Sequence, residues 1–195
     1  FMTTRIPRKF GMDPLEDVQV LVPMRKNLLG TENLNVEIQK ALNNNRIGEL
    51  ANDRIVRGGT EFLVGDRVMQ LRNNYDKDVY NGDVGFIKAI NTDDRSMVVV
   101  FDGRPVKYES GDLDELVLAY AMTIHKSQGS EYPAVIVILH TQHYVMLQRN
   151  LLYTAITRGR KLVLLMGVPY AVDQAIKNNT VRERRTGLAG RIVLK

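Results

Sequence analysis

The sequence predicts an α/β domain built on a parallel sheet, with a small antiparallel β-barrel inserted into it. Residues 18–22 (VQVLV), 135–139 (VIVIL) and 162–166 (LVLLM) are continuous apolar runs, the pattern of parallel strands covered on both faces. Segments with helical apolar spacing alternate with them. Between residues 58 and 117 the texture changes to short β-rich runs separated by turn signals.

Residues 1–15 show no clear periodicity, contain Pro7 and Pro14, and read as the cut end of a longer protein. The first apolar run ends at Pro23, and Met24, Arg25 and Lys26 lead into a loop containing Gly30. Leu34, Ile38, Ala41 and Leu42 then fall at helical spacing, and Asn43, Asn44 and Asn45 are expected to stop that helix. A basic residue just past a strand end sits where α/β proteins place ligand contacts. Arg25 is thus a phosphate-facing candidate, with Lys26 as its substitute and a solvated loop arginine as the alternative.

Five short runs follow, at residues 67–71, 84–90, 97–101, 106–109 and 116–120. Asn81-Gly82-Asp83, Thr92-Asp93-Asp94 and Asp102-Gly103 punctuate them, a spacing that suggests a small barrel. Its charges are mixed, and its aromatics fit a core or a stacking platform equally. Further on, Leu147, Leu151, Leu152, Ala155 and Ile156 mark one helical face that brings Thr157, Arg158 and Arg160 close to the helix end. A last helix runs from Ala171 through Ile176, and the tail becomes basic at Arg182 to Arg185.

The chain has 195 residues, 44% hydrophobic and 25% charged, enough for one good core and a small second one. No apolar run approaches the roughly 20 residues of a membrane helix, and no secretory pattern opens the chain, so the expected compartment is the cytoplasm. Without cysteine there is no disulfide framework or thiolate metal site. Histidine occurs only as His125, His140 and His143, so no metal site is expected. The net charge of +5 is unevenly spread: residues 145–195 hold ten of the 27 basic residues but two of the 22 acids, giving +8. The other 17 bases and 20 acids leave residues 1–144 at −3. A basic end favours polyanions, though it also serves solubility and helix termini.

The most informative stretch is 118–139, LAYAMTIHKSQGSEYPAVIVIL. Between its two apolar runs lie Thr123, His125, Lys126, Ser127, Gln128, Gly129, Ser130 and Glu131. So many polar side chains between buried strands are costly unless they meet a polar ligand or open solvent. Ser127 sits in HKSQG, which is not the GxSxG elbow of a serine hydrolase.

TIHKSQGSEYPAV at 123–135 resembles motif V of superfamily 1 helicases, and LLYTAITRGRK at 151–161 resembles motif VI. With PMRKNLLGTENLN at 23–35, the pattern resembles the RecD-like DNA helicases, the exodeoxyribonuclease V alpha subunit and its stand-alone relatives, which move 5′ to 3′. The resemblance implies a second RecA-like motor domain (residues 1–60 and 117–195) with an SH3-like barrel inserted at 61–116. It implies that Arg158 is the arginine finger, and that Arg25, Gln128, Gly129, Glu131 and Arg158 bind ATP. It implies that Thr123, His125, Asn73 and Asn74 contact single-stranded DNA. The implied cofactors are ATP and Mg²⁺, held together with an N-terminal RecA-like domain of the same full-length chain, because no GxxxxGK[ST] phosphate loop occurs here. The isolated chain is therefore expected not to hydrolyse ATP, and helicase–nuclease subunits are possible partners. The alternative is a non-catalytic nucleic-acid or protein-binding module derived from a helicase domain.

Overall fold

The computed structural model describes residues 1–47 and 54–179. In chain order these form α1 (Arg5–Phe10), β1 (Val18–Val22), α2 (Thr31–Ile47), β2 (Arg54–Arg57), β3 (Thr60–Leu63), β4 (Arg67–Gln70), β5 (Val84–Asn91), β6 (Ser96–Phe101) and β7 (Arg104–Tyr108). They continue with β8 (Leu116–Leu118), β9 (Ala121–Thr123), β10 (Tyr132–Leu139), α3 (Arg149–Ile156), β11 (Gly159–Gly167) and α4 (Pro169–Lys177). The basic stretch from Arg182 to Arg185 lies outside the described residues.

The three continuous apolar runs lie in β1, β10 and β11, which with β9 make a parallel sheet in the order β11-β10-β1-β9. All five residues of β1 are buried, as expected of a strand flanked on both edges. Its one polar residue, Gln19, donates through Nε2 to the carbonyls of Val20, Ala119 and Tyr120 at 3.1–3.2 Å. α3 and α4 cover one face through Leu151, Leu152, Ala155, Ala171 and Ala175. Ile6 of α1 and the partly buried Leu34 and Ile38 of α2 pack on the other. Each leucine or isoleucine among them, when fully buried, contributes roughly 1.5–3 kcal/mol, and each alanine methyl a smaller amount.

β11 departs from expectation. It is an edge strand, and Val163, Leu165 and Met166 are 36–43% exposed. A continuous apolar run does not distinguish a covered strand from the edge of the same sheet.

The five β-rich runs read from the sequence become β4 to β8, one antiparallel sheet in the order β7-β6-β5-β4-β8. Its core holds Val68, Ile87, Val99, Phe101, Tyr108 and Leu118. The sequence reading missed the β2–β3 ribbon, whose Ile55 and Phe62 join that core. Gly58 and Gly59 connect its strands at φ 56° and 80°, the two positive angles that a two-residue turn requires.

α2 corrects two expectations. It runs past Asn43, Asn44 and Asn45 to Ile47, and Ala41 is exposed. Its buried stripe is polar, namely Thr31, Asn35, Gln39 and Asn43. These side chains satisfy backbone and carboxylate groups that would otherwise be stranded. Asn35 accepts from the N–H of Ala121 at 2.7 Å and donates to its carbonyl at 3.0 Å, standing in for a neighbouring strand at the outer edge of β9. Asn43 donates to Asp66 at 2.5 Å, and that bond outweighs asparagine's modest helix penalty. Asn35→Ala should therefore cost roughly 1–3 kcal/mol, because it strands a buried amide and carbonyl. A urea midpoint unchanged by the substitution would show that β9 is not held this way.

Asp66 and Arg67 fasten the two sheets together. The Asp66 carboxylate accepts from Gln39 (2.5 Å), Asn43 (2.5 Å), the Tyr120 hydroxyl (2.7 Å) and the Leu63 amide (2.8 Å). Arg67 turns the other way and donates to the carbonyls of Leu15 and Val18 at 2.9 and 3.0 Å. Its guanidinium lies 5.8 Å from the centre of the Tyr132 ring at the start of β10, and burial lowers its pKa. Among the described residues no helix is long and apolar enough to cross a membrane.

Candidate functional site

The segment from Thr123 to Tyr132 crosses from one end of the parallel sheet to the other. Thr123 lies opposite Val22, at the carboxyl end of β1. Val18, at the amino end of β1, lies opposite Ala134, and Tyr132 lies opposite Gly159. At about 3.3 Å per residue, Val18 and Val22 are roughly 13 Å apart. The polar segment thus links two separate edges of the sheet.

The link is a run of turns. Thr123 O accepts from the amides of Lys126 (2.9 Å) and Ser127 (3.2 Å), and His125 O accepts from Gln128 N at 3.3 Å. Ser127 is fully buried and donates its hydroxyl to Ile124 O at 2.8 Å, so it serves as a brace of the turn. Gly129 takes φ 87°, where any side chain would be strained. His125 and Gln128 are exposed.

At the amino edge, α3 ends at Ile156, is capped by Thr157 and delivers Arg158 against this segment. Arg158 Nη1 donates to Ser130 O at 3.0 Å, Nε to Thr154 O at 3.1 Å and Nη2 to Thr157 Oγ1 at 3.2 Å. Its own carbonyl accepts from Tyr132 N at 2.8 Å. All three side-chain acceptors are neutral, and among the described residues no carboxylate pairs with Arg158. Two of the five guanidinium N–H donors have no partner among the described residues. Next to it Arg160 pairs with Glu131 at 2.8 Å; both side chains are more than half exposed, so the pair adds little stability. Gly159 is needed by packing, since a Cβ there would stand 2.7 Å from Val163 and 2.9 Å from Val135.

At the carboxyl edge, Arg25 and Thr123 line a groove of about 570 Å³ together with Lys126, with Met69 and Val117 of the antiparallel sheet, and with Leu71 just past β4. Arg25 is exposed and paired with Glu32 at 2.7 Å. Gly30 allows the tight approach of the loop that carries Arg25, as a Cβ would fall 2.4 Å from its carbonyl. The structure therefore brings Gly129, Glu131 and Arg158 to one edge, and Arg25 and Thr123 to the opposite one.

Asn73 and Asn74 lie in the loop after β4. Asn74 donates to both Glu115 carboxylate oxygens at 3.1 and 3.4 Å, and its own side-chain oxygen accepts from Lys77 N. Asn73 accepts from Asn81 N at 3.0 Å, and Asn81 Oδ1 accepts from Lys126 Nζ at 2.8 Å. This chain of contacts ties the loop to the polar turn. Lys126 and Asn81 stand in a polar run and a turn signal of the sequence, but their meeting across 45 positions is purely tertiary.

Residues 118–166 match the UvrD-like helicase C-terminal domain, and residues 34–101 match the SH3 domain of ATP-dependent RecD-like DNA helicases. The ATP-dependent RecD2 DNA helicase of Deinococcus radiodurans is 41% identical over 143 residues, 73% of this chain and 19% of that protein. The RecBCD enzyme subunit RecD of Mycolicibacterium smegmatis is 32% identical over 178 residues, 91% of this chain and 30% of that protein. The chain belongs to the RecD-like helicases. It spans about a fifth to a third of the length of these two relatives.

The fold of this RecD-like chain is that of a RecA-like helicase domain with an SH3-like insertion. Similar structures include the Pif1 helicase from Bacteroides in complex with ADP-AlF3 and ssDNA, with a TM-score of 0.55 and 23% identity over 90% of this chain and 46% of that one. The Pif1 helicase from Candida albicans also scores 0.55, at 17% identity over 91% of this chain and 50% of that one.

Proposed function

We propose that this chain is the C-terminal motor portion of an ATP-dependent DNA helicase that moves 5′ to 3′ in recombination and repair in the cytoplasm. It works with an N-terminal RecA-like domain of the same full-length chain that supplies the phosphate loop and the Mg²⁺-binding acids. The supporting observation is the state of Arg158: a guanidinium held by neutral acceptors, with two N–H donors unpartnered and no carboxylate partner among the described residues. Such a group suits an incoming phosphate oxyanion.

In this reading Arg158 is the arginine finger, and Gly129 and Glu131 line the nucleotide side. Arg160 keeps the Glu131 carboxylate away from the phosphates. ATP supplies the transferable phosphoryl group; the chain's own part is to place positive charge against it. Thr123 and His125 contact single-stranded DNA. Arg25 belongs with this strand-binding group rather than with the nucleotide, because it shares a groove with Thr123 and Lys126. Gln128, exposed in the turn between the two edges, couples them. Asn74 shapes the loop that presents Asn73 toward the strand. The motor unit divides from the SH3-like unit near residues 60 and 117, and the β2–β3 ribbon packs with the latter.

The chain alone should bind oligothymidine weakly, losing affinity as salt rises because condensed counterions are released. It should hydrolyse ATP only when joined to a phosphate-loop motor domain. Salt-insensitive binding, or a joined protein without DNA-stimulated phosphate release, would count for the alternative of a non-catalytic binding module.

A further inference from the structure

The loop after β4 is unusually well held for a surface segment. Asn74 and Val79 exchange backbone hydrogen bonds at 2.8 and 3.1 Å, and Val79 is fully buried. Asn74 is tied to Glu115, Lys77 pairs with Asp112 at 3.1 Å, and Arg104 donates to the carbonyls of Lys77 and Asp78. Tyr80 N donates to Asp83 at 2.7 Å. On this rigid support two aromatic rings face solvent: Tyr75 is 76% exposed and Tyr80 44%. They meet edge to face with centroids 6.2 Å apart. The Tyr80 hydroxyl donates to Asp78, and the Tyr75 hydroxyl oxygen accepts from Asn73 while keeping its own O–H as a donor.

What the pair chiefly offers a ligand is exposed ring surface, with the Tyr75 O–H as one further donor. Phosphates gain little here, because Asp78, Asp83 and Asp112 offset Lys77 and Arg104 across the loop. Every nucleobase has a π-face, and stacking on aromatic side chains needs no particular sequence. The loop is also continuous with the strand-binding edge, since Asn81 links Asn73 to Lys126, three residues beyond Thr123.

We propose that Tyr75 and Tyr80 form a stacking platform for an unstacked base of single-stranded DNA, next along the strand from the nucleotide held at Thr123 and Lys126. This rests on the strand-binding reading above, which already turns Asn73 of this loop toward the strand, and adds to it the stacking of a base on Tyr75 and Tyr80, a contact that works without charge.

The chain contains eight tyrosines and no tryptophan, so its intrinsic emission reports tyrosine directly. Oligothymidine binding would be followed by anisotropy of a labelled strand and by tyrosine quenching, with an abasic strand of equal charge as comparison. Tyr75→Ala and Tyr80→Ala should each weaken oligothymidine binding by roughly tenfold, a loss that does not grow or shrink with salt. Tyr75→Phe and Tyr80→Phe keep the rings and should bind like the parent. The parent should prefer oligothymidine to the abasic strand, and the alanine variants should lose that preference. Both side chains are exposed, so the substitutions spare the core, and a circular dichroism melt would verify this. If the parent binds oligothymidine and the alanine variants bind it equally, the platform is wrong while the strand-binding reading stands, and a protein contact becomes the better use of the tyrosines. If the parent binds no oligothymidine, both fall.

Discussion

Arg158→Ala, placed in the joined two-domain enzyme, should lower DNA-stimulated ATP turnover by roughly 10³–10⁵-fold, the range that an arginine finger contributes in related phosphoryl-transfer systems. The side chain is pre-positioned by three contacts: Thr154 O fixes Nε, Ser130 O draws Nη1 toward the polar turn, and Thr157 Oγ1 steadies Nη2. These hold the guanidinium plane without cancelling its charge, so little reorganisation is needed when negative charge shifts on the transferring phosphoryl group. Ground-state ATP binding should change by less than about tenfold, because the interaction is strongest in the transition state. Arg158→Lys should recover little, since one ammonium cannot span three acceptors and still present paired donors to phosphate. DNA affinity without nucleotide should be unchanged, as Thr123 lies at the other edge of the sheet. Steady-state ATPase kinetics with nucleotide and DNA titrations would read all three effects. Near-normal turnover of Arg158→Ala would remove it from catalysis and turn attention to Arg160.

The sequence made the strands legible wherever burial was uniform. β1 and β10 read directly as apolar runs because both faces of each are covered, and β4 to β8 were marked off by turn residues. β2 and β3 were hidden because each places one residue in the core, although Gly58-Gly59 was a usable hairpin signal. The extent of α2 was hidden for a different reason. Its inward face is Asn35, Gln39 and Asn43, and a polar stripe at helical spacing looks like a solvated one until its partners at Ala121, Glu61 and Asp66 are known. At the candidate site the residue types were visible in the motifs, but their grouping was not. That Arg25 shares an edge with Thr123 follows from strand direction, which local patterning does not encode.

The same polar stripe leads to an unusual pH dependence of stability. Asp66 is fully buried, and burial, partly offset by its hydrogen bonds, raises its pKa to about 6. Its ligands are all neutral: Gln39 and Asn43 from α2, the Tyr120 hydroxyl, and the Leu63 amide. The neighbouring charges look elsewhere, Arg67 to the carbonyls of Leu15 and Val18, and Glu61 to Arg54. Unfolded, Asp66 would titrate near 3.9. Between those values the folded chain binds more protons than the unfolded one, so this group's contribution to stability falls as pH rises from about 4 to about 6. The span corresponds to roughly 3 kcal/mol by the time Asp66 is fully ionised. Asp112, Asp114 and Glu115 have lowered pKa values and act in the opposite sense, so the parent's total profile mixes both signs. The difference between the parent and Asp66→Asn isolates the one group. Asparagine keeps the shape and removes the charge; its amide can be accommodated by rotation of Asn43, whose Oδ1 has no hydrogen-bond partner among the described residues. Urea unfolding followed by far-UV circular dichroism should show Asp66→Asn gaining on the parent steadily from pH 4 to pH 7. Parallel stability curves for the two proteins across that range would mean that Asp66 titrates as an ordinary carboxylate and that its four hydrogen bonds fully offset its burial.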